Sequence, residues 1–151
     1  MKRMTKYAAL IAALTLCFTL AVACKTTQTQ APKTIEEALK SVYDRHYDDL
    51  ILEGAEKYTV VSGDTLSAIS RSKYENGIYF PVIMLASKDV VLDPDKIEPG
   101  MELTVPDLQK NLDDPKARAN VKSFLKEVAD IEDTRDRAET AENMRKLADS
   151  L

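Results

Sequence analysis

The chain has 151 residues, a formal net charge of −4 and a charged fraction of 30%. This length accommodates one small domain with extensions and excludes a large catalytic architecture. The apolar residues, 44% of the total, are unevenly distributed, because a dense block of them lies within the first 23 positions. The remainder alternates apolar and charged residues in the way that soluble folded proteins do.

The N-terminus has the organisation of an export signal. Three basic residues among the first six are followed by an uncharged segment, residues 7–23, which ends in small residues before Cys24. An uncleaved membrane anchor is an alternative, because this length lies at the lower end of what spans a bilayer. We predict a signal peptide over residues 1–23.

The segment from Leu20 to Cys24 (LAVAC) resembles the lipobox of bacterial lipoproteins, in which the cysteine thiol receives diacylglycerol and cleavage follows. It departs from the commonest pattern in having Ala21 where leucine usually stands. Ordinary cleavage nearby is the other alternative, but we predict lipidation of Cys24. The expected location is the bacterial cell envelope. Because Lys25 rather than aspartate follows the cysteine, the periplasmic side of an outer membrane is favoured where one exists.

Processing changes both charge and cysteine content. Removal of three basic residues from the total of 21 leaves 18 against 25 acidic side chains, a net charge of −7, which disfavours nucleic-acid binding. No cysteine follows Cys24, which excludes disulfides, cysteine nucleophiles and zinc-thiolate sites from the mature chain. The sequence has no nucleophile elbow, phosphate loop or dinucleotide fingerprint. We therefore predict neither catalysis nor a cofactor or metal.

Residues 24–33 carry the lipidated cysteine and a polar, Thr- and Gln-rich stretch typical of a flexible linker. An amphipathic helix is predicted over residues 34–56. Thr34 and Glu37 form a capping-box signature, and apolar residues then recur at helical spacing until Gly54. The only histidine, His46, is expected at the surface or in a helix contact, since no second histidine accompanies it as a metal ligand.

Residues 57–107 are predicted to form a β-α-α-β unit. A strand over Lys57–Val61 is followed by a turn, and Asp64 can cap a helix that starts at Thr65. A second helix over Tyr79–Ser87 tolerates a proline in its first turn, and Glu102–Val105 alternates as a second strand. Residues 108–151 are predicted to be a helical extension that begins at Asp114-Pro115 and ends as a long, solvated helix with a narrow docking seam.

Two motifs in this unit carry a family resemblance. Residues 58–69 (YTVVSGDTLSAI) are very similar to the opening of a LysM domain, and residues 93–106 (DPDKIEPGMELTVP) resemble its closing segment. Ser87 and Met101 depart from the commonest residues, and the connection between the two helices resembles that of a subclass in which it is longer. The resemblance covers residues 58–106.

The resemblance implies an α+β fold, with two helices on a two-stranded antiparallel sheet, flanked here by an N-terminal helix and a long C-terminal helix. It also implies a ligand, chains of β-1,4-linked N-acetylglucosamine, which in bacteria form the glycan of peptidoglycan. The groove lies between two loops, and carried over position by position it consists of Gly63, Asp64, Thr65, Leu66, Asp93, Pro94 and Ile97.

Structural roles compete with this assignment. Asp64 as a cap and Leu66 as a core residue would be present in the fold without any ligand. Asp93 and Asp95 suggest a carboxylate pair or a cation site, but an Asp-Pro-Asp segment is more often a solvated turn, and the other ligands of a calcium loop are missing.

Two functions follow from the sequence. The first is a non-catalytic lipoprotein that binds peptidoglycan and tethers an envelope membrane to the cell wall. The second is an envelope scaffold whose LysM fold binds no glycan and whose helices, at residues 34–56 and 115–151, bind a protein partner. Apolar residues left exposed on those helices would favour the second.

Overall fold

The computed structural model describes residues 34–151, so the predicted signal peptide, Cys24 and the linker lie outside the described residues. The described chain contains six α-helices, two short 3-10 helices and one two-stranded sheet. In chain order the α-helices and strands are α1 (Ile35–His46), β1 (Glu56–Thr59), α2 (Leu66–Tyr74), α3 (Phe80–Ala86), β2 (Glu102–Val105), α4 (Leu108–Asp113), α5 (Pro115–Asp133) and α6 (Ala138–Ser150).

The predicted β-α-α-β unit is confirmed, and with it the α+β class. β1 and β2 pair antiparallel, with Glu56 opposite Val105 and Thr59 opposite Glu102. The first strand ends at Thr59 rather than Val61, although Val60 still accepts a hydrogen bond from Gly100 N at 2.9 Å. Every residue of α3 is buried, so this helix forms the centre of the unit.

The first helix is shorter than predicted. The predicted cap at Thr34 is confirmed, since Thr34 Oγ1 accepts a hydrogen bond from Glu37 N at 3.1 Å, but the helix ends at His46 instead of continuing towards Gly54. A 3-10 turn follows, and the chain then becomes extended at Leu50. Buried Asn111 holds this extended segment by bonding both the N–H and the C=O of Ile51 at 2.9 Å. The helical prediction failed because this partner lies 60 residues away.

Both flanking regions share one hydrophobic core with the β-α-α-β unit. Tyr43 on α1 lies beside Phe124 on α5, with ring centroids 6.2 Å apart. The Tyr43 hydroxyl donates to the carbonyl of Val91 at 3.0 Å, and burial of this hydroxyl raises its pKa above the ordinary range. The apolar stripe of α1 is therefore used inside the protein.

The C-terminal extension is helical, as predicted, but it consists of three helices rather than one long one. The predicted start at Asp114-Pro115 is confirmed, because Asp114 Oδ1 accepts from Lys116 N at 2.9 Å and Ala117 N at 2.8 Å. The chain reverses between α5 and α6, where Asp136 adopts a left-handed conformation (φ 58°). The apolar seam of α6 then packs inside the molecule, with Met144 fully buried.

None of the helices in residues 34–151 combines the length and apolar character that crossing a membrane requires.

Candidate glycan-binding site

A cleft of about 250 Å³ lies at the N-terminal end of α2. Five of the seven predicted groove residues line it, so the two predicted loops do meet across one cavity: Asp64, Thr65, Leu66, Pro94 and Ile97. The other two, Gly63 and Asp93, lie outside the lining and support the loops that carry it. Ligand binding by these residues stays a prediction.

The first loop is a tight turn held by Asp64. Gly63 adopts a left-handed conformation (φ 93°), which favours glycine. Asp64 Oδ2 accepts hydrogen bonds from the Tyr58 hydroxyl at 2.8 Å and from Val61 N at 2.9 Å. This hydrogen bond to Asp64 is the main reason that the pKa of Tyr58 is raised. Asp64 thus has a structural role in the turn.

The residue that caps α2 is Thr65, so the prediction that Asp64 does so is wrong. Thr65 has an extended backbone directly before the first helical residue, and its Oγ1 accepts from Ala68 N at 3.1 Å. Asp64 lies one residue too early to reach the free N–H groups of the helix. The next residue, Leu66, is 3% exposed and belongs to the core while also lining the cleft.

The second loop is braced from behind by Asp93, which is 9% exposed. Its Oδ1 accepts from Asp95 N at 3.1 Å and from Arg135 Nη2 at 3.2 Å, and its Oδ2 lies 3.4 Å from Lys96 Nζ. Burial raises the pKa of Asp93, but the Asp95 amide and the charges of Arg135 and Lys96 outweigh it, so the pKa lies below its usual value. This part of the predicted solvated turn is in fact an ionic anchor.

The partners of this anchor come from the α5–α6 corner, residues 132–137. Glu132 is only 1% exposed, and its two oxygens lie 3.0 Å from Arg135 Nη1 and 3.4 Å from Arg137 Nη1. Both arginines also bind Asp95. The corner is therefore attached to the loop between α3 and β2 through two arginines.

Comparison with known proteins assigns the unit that contains the cleft. Residues 58–106 match the LysM domain family. This segment is a LysM domain. LysM domains are glycan-binding modules and are generally non-catalytic, which suggests that this one binds the glycan of peptidoglycan.

The chain also resembles a curated protein over part of its length. It is 50% identical over 50 residues to the potassium binding protein Kbp of Escherichia coli O6:H1 (strain CFT073). The match covers 33% of this chain and 34% of that relative, so the similarity spans about a third of each. No solved structure matches this chain.

The cleft is also lined by six residues that the sequence analysis did not assign to it. Two come from α2 and the start of α3, within the LysM domain. One lies in the second loop, and three come from the C-terminal extension, which the resemblance does not cover. They are Ser67, Phe80, Asp95, Glu132, Arg137 and Thr140. The only sequence signal for the last group was the Arg-Asp-Arg segment that interrupts the apolar stripe of the extension.

A larger depression of about 480 Å³ lies where α2 ends and α4 begins, lined among others by Glu56, Tyr74 and Pro106. It contains none of the predicted groove residues. The smaller cleft is the better candidate, since it joins the two loops that the LysM resemblance assigns to the ligand.

His46 is a helix contact. It is 7% exposed, with Nδ1 2.6 Å from Asn120 Oδ1 and Nε2 3.1 Å from Glu127 Oε1. In the described part of the chain, no three His, Cys, Asp or Glu side chains are grouped so that they could hold a metal ion.

Proposed function

We propose that the protein is a non-catalytic, peptidoglycan-binding lipoprotein that tethers an envelope membrane to the cell wall. Its ligand is the N-acetylglucosamine-containing glycan strand. The observation that carries this proposal is the convergence of the two LysM loops on one cleft, with Thr65 on one side and Pro94 and Ile97 on the other.

The chemistry of the cleft suits a sugar. Thr65 Oγ1 accepts the capping hydrogen bond, which leaves its own O–H to donate to a ligand hydroxyl or acetamido oxygen. Leu66 and Ile97 offer apolar surface for an acetamido methyl group or a sugar face. The cavity is small and the chain has no tryptophan to stack on a sugar, so we expect weak single-site affinity.

A lipid anchor compensates for weak affinity. Diacylglycerol on Cys24 would hold the LysM domain next to the wall and raise its effective concentration there. The nine residues 25–33 would span up to about 30 Å when extended. We place the protein in the bacterial cell envelope, on the periplasmic face of the outer membrane where a second membrane exists.

The alternative, a scaffold that binds a protein partner through its flanking helices, is less well supported. It calls for apolar surface on residues 34–56 or 115–151. The large hydrophobic residues that are exposed in the described chain are Val61, Val90 and Leu92, and all three lie within the LysM domain. The apolar faces of both flanking regions pack instead into the shared core.

Potassium binding, which the printed name of the relative states, does not enter this proposal. The match spans 50 residues, a third of this chain, and about two thirds of that relative lie outside it.

Co-sedimentation with insoluble peptidoglycan tests the glycan site. The full chain, purified in a mild detergent, should pellet with peptidoglycan, and Ile97→Ser should reduce the pelleted fraction by removing apolar surface from the cleft. Val90→Ser is the matched control, because Val90 is exposed on the same connection after α3 but does not line the cleft. If the parent stays in the supernatant, or if the two variants pellet equally, the cleft is not the glycan site.

The lipid anchor is tested independently by mass spectrometry of the protein isolated from bacterial membranes. We expect an N-terminal Cys24 that carries diacylglycerol, and we expect Cys24→Ala to leave the membrane fraction. A free Cys24 thiol, or a mature protein that begins elsewhere, would contradict lipidation without touching the glycan proposal.

A further inference from the structure

We propose that the C-terminal extension supplies a third wall of the glycan cleft, on which Thr140 and Arg137 bind sugar hydroxyl groups opposite Ser67. The inference rests on the proposed glycan binding, and it deepens that proposal by adding ligand contacts from outside the LysM domain. It also makes the LysM domain and the extension one binding unit.

The position of α6 places the extension at the cleft. Thr140 lies in the first turn of α6 and lines the same cleft as Thr65 and Ser67 of the LysM domain. The cleft is thus enclosed by two LysM loops on two sides and by the extension on the third. Its volume of about 250 Å³ falls below the range of about 300–1,000 Å³ typical of drug-sized ligands, so it suits roughly one sugar unit.

Two hydroxyl groups at the cleft, those of Ser67 and Thr140, are available to a ligand. The side chains of Ser67 and Thr140 are both partly exposed, and neither has a hydrogen-bond partner among residues 34–151. Each hydroxyl can donate one hydrogen bond and accept two. With Thr65, they present three hydroxyl groups to a cavity that is otherwise walled by apolar and ionic side chains, a combination that complements sugar hydroxyls.

The charge balance of the third wall indicates which class of sugar it binds. The side chain of Arg137 is 39% exposed, and its guanidinium already contacts the carboxylates of Asp95 and Glu132. Arg135 shares both of these carboxylates and also contacts Asp93, so the carboxylates of Asp93, Asp95 and Glu132 balance the two guanidinium groups. Arg137 can therefore donate a hydrogen bond to a neutral oxygen but does not attract an anion. An uncharged N-acetylglucosamine unit therefore fits this wall better than a sugar that carries a carboxylate.

The α5–α6 corner fixes this wall before any ligand arrives. Arg135 is 10% exposed and joins Glu132 to Asp93, which braces the loop that carries Pro94 and Ile97. The second and third walls are thus held in one ionic network. A site that is already ordered loses less conformational entropy on binding, so the network favours affinity without touching the sugar.

The experiment is a titration of the full chain in detergent micelles with the tetramer of β-1,4-linked N-acetylglucosamine, followed by amide NMR spectra. Ser67→Ala and Thr140→Val each remove one hydroxyl at nearly constant shape, and we expect each to raise Kd about three- to tenfold. Arg137→Gln should have an effect of similar size. The amide signals of Thr140 and its neighbours should shift on titration of the parent.

Matched controls separate ligand contact from stability. Ser72→Ala makes the same change on α2 but outside the cleft, and Arg145→Gln removes an arginine that also contacts two carboxylates, Asp130 and Asp133, on the same pair of helices. Both controls should keep the parent Kd within about twofold. Circular dichroism checks folding, and Thr140→Val preserves the test if Arg137→Gln unfolds.

The outcomes are distinguishable. If Thr140→Val and Arg137→Gln bind like the parent while Ile97→Ser loses binding, the third wall is wrong and the two-loop glycan site stands. If the parent binds neither the tetramer nor peptidoglycan, both proposals are wrong. Weakening by the cleft variants but not by their controls supports both.

Discussion

Arg135 Nη2 lies 3.2 Å from Asp93 Oδ1, and this contact joins the corner of the C-terminal extension to the second loop of the LysM domain. Both side chains are about nine-tenths buried. The extension is therefore bonded to a wall of the candidate site, and stability and binding should depend on some of the same residues.

The first prediction concerns the stability of this network. Arg135→Met removes the closest partner of buried Glu132 and leaves that carboxylate with only the longer contact to Arg137. Because a buried charge that loses its partner is costly, we expect the free energy of unfolding to fall by about 3 kcal/mol. Urea denaturation measures it.

Arg145→Met is the control for that prediction. Arg145 also contacts two carboxylates, but the three side chains are all at least 37% exposed, and ion pairs of this kind contribute below about 1 kcal/mol. Equal losses for the two variants would contradict the view that the α5–α6 corner is a structural anchor.

The second prediction is a pH dependence. The pKa of Asp93 lies below its usual value of 3.8 in the folded protein, so near that pH the unfolded chain binds more protons than the folded one. The stabilisation from Asp93 is therefore complete above its unfolded pKa and is lost as pH falls through its lower, folded pKa. Asp93→Asn should flatten the loss of stability below about pH 4.

Urea denaturation at a series of pH values checks the effect, with exposed Asp48→Asn as the control. Other carboxylates also contribute to the pH dependence of stability, among them Glu127. Burial raises the pKa of Glu127, but hydrogen bonds from Arg45 and His46 outweigh burial, so the pKa lies below its usual value. The informative quantity is thus the difference between the two variants in how steeply the free energy of unfolding falls with pH. If both retain the pH slope of the parent, the Asp93 anchor does not form.

The third prediction concerns Asn111, which is fully buried and bonds Ile51 through both its amide oxygen and its amide nitrogen. Asn111→Ala leaves the backbone groups of Ile51 without these partners. We expect a loss of about 2–4 kcal/mol, since each unsatisfied buried group costs about 1–3 kcal/mol. Asn143→Ala, at a partly exposed helical position, should change the free energy of unfolding little. A small effect at Asn111 would contradict its role in holding the extended segment that follows α1.

The fourth prediction concerns Gly77, which lies between α2 and α3. A Cβ at this position would stand 2.9 Å from the backbone oxygen of Ser67, so Gly77→Ala must shift α2 or the turn that carries residue 77. We expect a cost of about 1–3 kcal/mol and weaker glycan binding, because Ser67 lines the cleft. Gly100→Ala meets no atom within 4 Å and should cost about 1 kcal/mol through its positive φ alone, with binding retained. If Gly77→Ala binds the glycan as well as the parent does, the packing of Gly77 against Ser67 does not affect the binding site.

Much of the fold could be predicted because its signals are local. Thr34 caps α1, Pro115 opens α5, and β2 has the predicted bounds, each from residues within a few positions. The end of α1 could not be predicted, because the side chains that hold the chain there, Asn120 at the carbonyl of His46 and Asn111 at Ile51, lie at least 60 residues away. The break between α5 and α6 was not predicted, because helical apolar spacing resumes at Ala138 directly after the Arg-Asp-Arg segment, although the backbone turns at Asp136.

The candidate site divides in the same way. The two loops of the LysM domain carry recognisable motifs, so Thr65 and Ile97 could be assigned from the sequence. Arg137 and Thr140 could not, because their place in the cleft depends on the way α6 folds back, and Arg137 reaches Asp95 across 42 residues. Charge alternation in the extension gave no indication of which arginine would be partly buried.

The most direct test of the tether is a vesicle assay with insoluble peptidoglycan. Lipidated full-length protein, reconstituted in fluorescent phospholipid vesicles, should carry those vesicles into the peptidoglycan pellet. Ile97→Ser should lower the pelleted fluorescence, and unlipidated Cys24→Ala protein added to vesicles should leave it at background. If the lipidated parent leaves the vesicles in the supernatant, or if Ile97→Ser pellets them as well as the parent does, the protein does not join membrane to wall through this cleft.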